Sequence, residues 1–302
     1  MTLSPKKAMQ SARIRDLSDS LDLEILSHYY MRKEVKDVSH FVGGTRAILA
    51  RAKESSKSAL IVCAVNFISE RIKEMRPDIP IIIPRLDTLC PLSEKADLSL
   101  LEELRRRSPH SLILAGLKTA KDVKDHCDKI LKVEEIPSSY VDHPKRDVLV
   151  LPTLEGPGGR VKESLRDLAP KCMVHAQVEY SEVMELIREH PRAQVLSNSL
   201  ATDAVKGLSD FIGDTDDLFH YVESCGSQEY IVVSEWGLIE SLSESFPGKK
   251  FYELQTEMFC PNMKLTNLKD ILSALEAQGL SGHLVRASFD RDGDRRIYDL
   301  SR

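Results

Sequence analysis

The chain has 302 residues, of which 42% are hydrophobic, 29% charged and 6% aromatic, with a formal net charge of −5. This profile excludes a collagen, a disordered tail protein and a small disulfide-framed domain. The mild acidity argues against a general nucleic-acid binder, which needs a dense basic face.

In chain order, residues 1–10 lack the apolar core of a secretion signal, and 1–20 read as a polar lead-in. Strands are predicted at 59–64, 79–84, 111–115, 147–151, 193–197, 229–234 and 249–254. Amphipathic helices are predicted at 45–54, 66–76, 99–107, 119–127, 158–168, 180–189, 215–225, 236–246 and 265–278. Apolar strands alternating with helices imply an α/β protein whose parallel sheets are covered on both faces. The stretch 137–146 is the best linker candidate. No apolar run is long enough to cross a bilayer. The expectation is a cytoplasmic protein with reduced thiols, no membrane and no nucleic-acid partner.

An internal repeat cuts across this order. Residues 39–45 (SHFVGGT) match 209–215 (SDFIGDT) at an offset of 170. The same offset pairs Ile61-Val62 with Ile231-Val232, Glu70 with Glu240, Pro77 with Pro247 and Cys90-Pro91 with Cys260-Pro261. No gap is needed from 39–90 to 209–260. A degraded third copy runs from the strand at 147–151 through a helix at 158–168 to Cys172. Three modules are expected, at 1–104, 105–189 and 190–302, each ending near one cysteine in a pseudo-threefold body.

The repeat sorts the six cysteines. Cys63 lies inside a strand, Cys127 late in a helix and Cys225 in a loop copy. These three read as structural. Cys90, Cys172 and Cys260 hold equivalent positions after a strand–helix unit. Three converging thiolates suit a Cys₃ zinc site with water or a [4Fe–4S] cluster with one open iron. Recurrence by ancestry with simple packing is the third possibility. With no CxxC pair, spacing does not choose among them.

Further motifs supply a resemblance. His28-Tyr29-Tyr30 precedes Glu34-Val35-Lys36-Asp37-Val38 and Phe41-Val42-Gly43-Gly44-Thr45. Cys172-Met173-Val174-His175, Phe211-Ile212-Gly213-Asp214-Thr215 and Cys260-Pro261-Asn262-Met263 follow. In order and spacing the chain resembles the quinolinate synthases from about residue 22 to residue 300. The resemblance implies three αβα modules around a pseudo-threefold axis. It also implies a [4Fe–4S] cluster on Cys90, Cys172 and Cys260, and the condensation of iminoaspartate with dihydroxyacetone phosphate.

The chain departs from the family where substrate is bound. The Tyr-Val-Asn-Thr/Ser motif is replaced by Gly116-Leu117-Lys118-Thr119. The Thr-Ser-x-Asn-Ala motif is replaced by Ile130-Leu131-Lys132-Val133-Glu134, and His-Pro-Glu-Cys by Asn198-Ser199-Leu200-Ala201. The family's Gly-Asp-Ser reads Gly43-Gly44-Thr45, its Gly-Ser-Thr reads Gly213-Asp214-Thr215 and its Gly-Thr-Glu reads Val233-Ser234-Glu235. A buried site that loses such polar partners binds that substrate less tightly by roughly several kcal/mol. Asp214 also sets a negative charge at a helix start, where it repels phosphate. The expectation is a divergent enzyme that keeps open-iron chemistry on another small-molecule substrate. The alternatives are canonical quinolinate synthesis and a non-catalytic or sulfur-carrying cluster protein.

The resemblance assigns roles residue by residue. Tyr30 and His28 move protons at the substrate. His175 lies just outside the cluster ligands. Thr45 and Thr215 cap helices or hold a substrate anion. Lys118 stands where the family has a neutral polar residue, and from that departure it is expected to meet a carboxylate or phosphate, or to act as a Schiff-base amine. Ser234 and Glu235 contact substrate. The acidic run at 290–294 lacks the EF-hand register, and 154–160 lacks both the dinucleotide fingerprint and the Walker lysine.

Overall fold

The computed structural model describes residues 4–119, 121–131, 147–154, 161–281, 285–289 and 295–299. The first sheet is entirely parallel in the order β2-β1-β3-β4, formed by Phe41–Gly43, Leu23–His28, Ala59–Cys63 and Ile81–Ile82. The last parallel sheet has the same order, β9-β8-β10-β11, formed by Phe211–Gly213, Gln194–Asn198, Glu229–Val233 and Lys250–Tyr252. Between them lies β6-β5-β7, formed by Lys129–Ile130, Leu112–Ala115 and Val148–Leu151. It matches the first three strands of either neighbour. The architecture is therefore α/β, as the alternation predicts. Leu23–His28 and Ala59–Cys63 are buried at every position, because helices cover both faces of a parallel sheet.

The repeat is obeyed almost residue by residue. Helix α3 (Thr45–Glu54) maps onto α10 (Thr215–Ser224), and α4 (Asn66–Met75) onto α11 (Trp236–Ser245). The short α2 (Lys33–Lys36) maps onto α9 (Asp203–Lys206). All three central strands end in the same turn: Met31 N–H donates to His28 C=O, Thr119 to Gly116 and Ala201 to Asn198. Each also receives the same side-chain brace. Ile25 N–H donates to His40 Nδ1 at 2.9 Å, Ile113 N–H to Asp128 Oδ2 at 2.7 Å and Val195 N–H to Asp210 Oδ2 at 2.8 Å.

The first and third modules share a core. One apolar cluster runs from Ile14 and Ile25 through Leu60 and Ile68 into Leu218 and Leu238, and on to Ile271 of α12 (Leu268–Ser281). The middle module has its own cluster around Leu104, Ile113 and Leu151. Position 104 falls within α6 (Leu98–Arg107), and α8 (Tyr180–Glu189) ends at 189; α6 precedes β5 and α8 precedes β8, as α1 (Pro5–Ser20) precedes β1.

Several expectations are corrected. Residues 5–20 form helix α1 rather than a polar lead-in. Its buried positions, Ser11, Ile14 and Ser18, have helical spacing but little apolar contrast. Pro5 at the first turn and Ser4, whose hydroxyl accepts from Lys7 N–H, start it. The helix expected at 158–168 is, in its described part, a single 3₁₀ turn at Glu163–Leu165. That expected at 119–127 is the four-residue α7 (Lys121–Lys124), and the strand at 79–84 contracts to Ile81–Ile82. Strands β1, β2, β6 and β9 were not expected, since three-residue strands such as β2 and β9 lie inside the glycine turns. The stretches 137–146 and 155–160 and the residues 290–294 lie outside the described residues. No helix among the described residues is long and apolar enough to cross a membrane.

Candidate active site

The ends of the three central strands bring His28, Gly116 (the residue just past β5) and Asn198 to one cavity of about 250 Å³. Cys90, Cys172 and Cys260 line the same cavity. Each cysteine opens a helical turn in the same way. Glu94 N–H donates to Cys90 C=O at 3.0 Å, Ala176 to Cys172 at 3.0 Å and Lys264 to Cys260 at 3.2 Å. The same turn, used three times, brings the three cysteines to one cavity. Burial pushes the Cys260 thiol up to about 11, and Glu235, Cys172 and Cys90 add to the rise by charge proximity. Among the described residues, no three His, Cys, Asp or Glu side chains stand close enough to share one ion.

Tyr30 is the hub of the polar network. Its ring is buried, and its hydroxyl lies 2.8 Å from Thr215 Oγ1, 3.1 Å from Ser234 Oγ and 3.3 Å from His175 Nε2. Asn198 Nδ2 donates to it at 3.4 Å. Burial raises the phenol above its ordinary range, and the Ser234 and Thr215 bonds pull it partly back. The other ring nitrogen of His175, Nδ1, lies 3.3 Å from Cys172 Sγ. Tyr30, His175 and Cys172 are therefore hydrogen-bonded in sequence.

His28 stands edge-on to Tyr30, with ring centroids 4.5 Å apart. Its Nδ1 accepts from Tyr30 N–H at 3.1 Å. Burial, with Lys118, Lys264 and His175 nearby, lowers His28 to about 3, so the ring is neutral and its proton sits on Nε2. His175 is likewise lowered to about 3 by burial and Lys118. Thr45 and Lys118 line the cavity beside them.

Two predicted substrate contacts stand elsewhere. Glu235 is fully buried and does not line the cavity. It caps α11 by accepting from Gly237 N–H at 2.6 Å, accepts from Cys260 N–H at 3.2 Å and pairs with Lys264 at 2.9 Å. Its oxygens are thus engaged by Gly237 of α11 and by the loop that carries Cys260, away from the cavity. Ser234 is also fully buried and reaches the cavity only through Tyr30.

Sequence reasoning missed the residues that join the two copies. Asp216 accepts from Gly44 N–H at 2.7 Å, Arg46 N–H at 2.9 Å and Ala47 N–H at 3.2 Å, and so caps α3 from the neighbouring module. Gly44 is required there, since a Cβ would sit 2.4 Å from the Asp216 carboxylate. In return, Arg46 pairs with Asp214 at 2.7 Å and with Asp217. Asp214 and Asp217 form a capping box on α10. Lys264 also reaches across modules, donating to Tyr30 C=O at 2.5 Å. The available signal was Gly44 and the acidic run Asp214–Asp217 at matching repeat positions.

Comparison with known proteins agrees with this architecture. The family model described as quinolinate synthetase A protein matches residues 12–286. The quinolinate synthase of Clostridium kluyveri is 27% identical over 267 residues, covering 87% of this chain and 88% of its own length. Quinolinate synthase 1 of Methanosarcina acetivorans is 27% identical over 271 residues with the same coverage. The quinolinate synthase of Caldicellulosiruptor saccharolyticus is 26% identical over 267 residues. Motifs, sheet order and the match across most of its length together place this chain in the quinolinate synthetase A family.

Proposed function

We propose that the protein is a [4Fe–4S] enzyme of this family, held by Cys90, Cys172 and Cys260, that dehydrates or condenses a small metabolite other than the family's usual pair. The observation that carries the reading is the single cavity onto which three equivalent cysteines and the Tyr30–His28 pair open. A lone tetrahedral ion, with metal–sulfur bonds of about 2.3 Å, needs a tight ligand group. A cluster takes each thiolate on a different iron. Three cysteines on one cavity, in the positions that the family resemblance gives to cluster ligands, support the cluster reading.

When bound, such a cluster supplies an open iron as Lewis acid for a substrate oxygen. The chain's own residues handle the protons. With Cys172 as thiolate, His175 donates Nδ1–H to sulfur, which leaves Nε2 as acceptor for the Tyr30 hydroxyl proton. Tyr30 holds that proton in a buried network, ready to give to or take from a substrate atom in the cavity. His28 offers Nε2–H to substrate oxygen as a neutral donor. Leu92, Leu117, Val174 and Met263 give the cavity apolar walls.

A metabolite-sized cavity lined by Tyr30, His28 and Lys118 favours an enzyme over an oxygen-sensing or sulfur-carrying protein, which needs little open space. Anaerobic purification should give a brown protein with about four irons per chain. Quinolinate formation from iminoaspartate and dihydroxyacetone phosphate should be absent or weak. Full canonical turnover would overturn the altered specificity, and a colourless, iron-free protein would overturn the cluster.

A further inference from the structure

We infer that the cavity takes a small carboxylic acid without a phosphate, its single anionic group held by Lys118, and that Asp216 and Asp214 keep phosphate esters out. The inference rests on the site reading above and names its substrate class.

Two ten-residue helices, α3 and α10, begin at the cavity rim with Thr45 and Thr215 lining it. A helix N-terminus attracts anions through its free N–H groups and dipole. Here both are already filled by the chain itself. Asp216 takes three N–H groups at the start of α3. Asp214 Oδ1 takes Asp216 N–H at 2.9 Å and Asp217 N–H at 3.0 Å at the start of α10. The guanidinium at this rim, Arg46, is bound to Asp214 and Asp217. One cation thus faces three carboxylates. A phosphate dianion would have to displace Asp216 and then meet the other two.

The donors left for a ligand lie elsewhere in the cavity. Lys118 lines the cavity, and its Nζ has no hydrogen-bond or ion-pair partner among the described residues. His28 contributes Nε2–H, and the Thr45 hydroxyl has no partner among the described residues. Thr215, Asn198 and His175 are instead spent on Tyr30. One ammonium, one neutral imidazole and one hydroxyl suit one carboxylate with an adjacent hydroxyl or keto oxygen. The rest of the lining is largely apolar, with Leu92, Leu117, Val150, Val174 and Met263. That wall suits a short hydrocarbon body and penalises a second unpaired charge.

The test is calorimetric titration of the anaerobically purified, full-length protein with 2-hydroxybutyrate, 2-oxobutyrate and glycerol 3-phosphate, with iron content measured on the same samples. At least one of the two acids should bind ten-fold or more tightly than the phosphate ester. Lys118→Met should lower that affinity at least ten-fold while iron content stays unchanged. Asp216→Ser should raise affinity for glycerol 3-phosphate at least ten-fold, and Asp216→Asn, which keeps an acceptor, serves if the serine variant does not fold. Phosphate binding as tight as that of the acids, or unchanged acid affinity in Lys118→Met, overturns the inference. A four-iron protein that binds neither acid overturns this inference and leaves the cluster reading standing. An iron-free protein that binds the acid through Lys118 does the reverse.

Discussion

The first and third modules trace one fold twice at an offset of 170, and they differ where they meet. Arg46 and Asp216 are the same position in the two copies, yet they carry opposite charges. Arg46 reaches the acidic start of α10, while Asp216 fills the amide start of α3. Gly44 and Asp214 are likewise one position: one gives up its side chain to admit the neighbour's carboxylate, and the other caps its own helix. Val65 and Glu235 are a third such pair. Both precede the second helix of their module, but only Glu235 pins the cysteine loop through Cys260 N–H and Lys264. The two copies keep buried apolar positions in register, as at Ile61-Val62 and Ile231-Val232 or Ile48 and Leu218, because each copy packs the same elements on the same sheet. They diverge at the shared face, where a residue meets its own counterpart and like charges would repel.

The comparison can be broken at the cysteines first. Cys90→Ala or Cys260→Ala, at equivalent positions, should each take iron from about four per chain to near zero, measured by metal analysis and visible absorption. Cys172→Ala should do the same, whereas Cys63→Ala, buried in β3, should leave iron content unchanged. Retained colour after Cys172→Ala would refute the three-cysteine site.

Glu235→Val gives the third module the residue of the first. It leaves the Lys264 ammonium and two N–H groups without their acceptor, so a loss of about 3 kcal/mol is expected in denaturant unfolding, with reduced iron occupancy. Asp216→Ala removes the cap that α3 borrows, and should cost about 1–3 kcal/mol. An equal cost in an Arg46→Ala background would show that the two halves of the clasp act independently.

His28→Asn also copies the third module, because Asn198 Oδ1 accepts from Leu200 N–H as His28 Nδ1 does from Tyr30 N–H. The buried imidazole titrates near 3 in the folded chain, below its ordinary 6.5. The folded state therefore holds fewer protons than the unfolded one between these values. Its contribution is present above pH 6.5 and is lost as pH falls toward 3, at up to about 1.4 kcal/mol per pH unit. Unfolding free energies measured from pH 7 to 4 should fall less steeply in His28→Asn by that amount. The smallest effect is expected for Asp214→Ala, about 1 kcal/mol for a lost N-cap.

Sequence by itself determined the α/β class and the duplicated module, and it singled out the three cysteines that line one cavity. Each of these is a local or periodic property: apolar strands, helical spacing and a fixed offset survive in one dimension. It also marked Tyr30, His28 and Lys118, which the fold brings to one cavity. Helix α1 escaped because its buried stripe is Ser11, Ile14 and Ser18, whose polarity hides the period. Only the tertiary structure decided which polar groups remain for a ligand. Glu235 and Thr215 read as substrate contacts, yet one is held by Lys264, Gly237 and Cys260 and the other by Tyr30. Asp216 carries no motif in the sequence, yet it closes the start of α3 across from it. Hydrogen-bond capacity is used up by neighbours distant in the chain, and that allocation is set by packing between modules rather than by any local pattern.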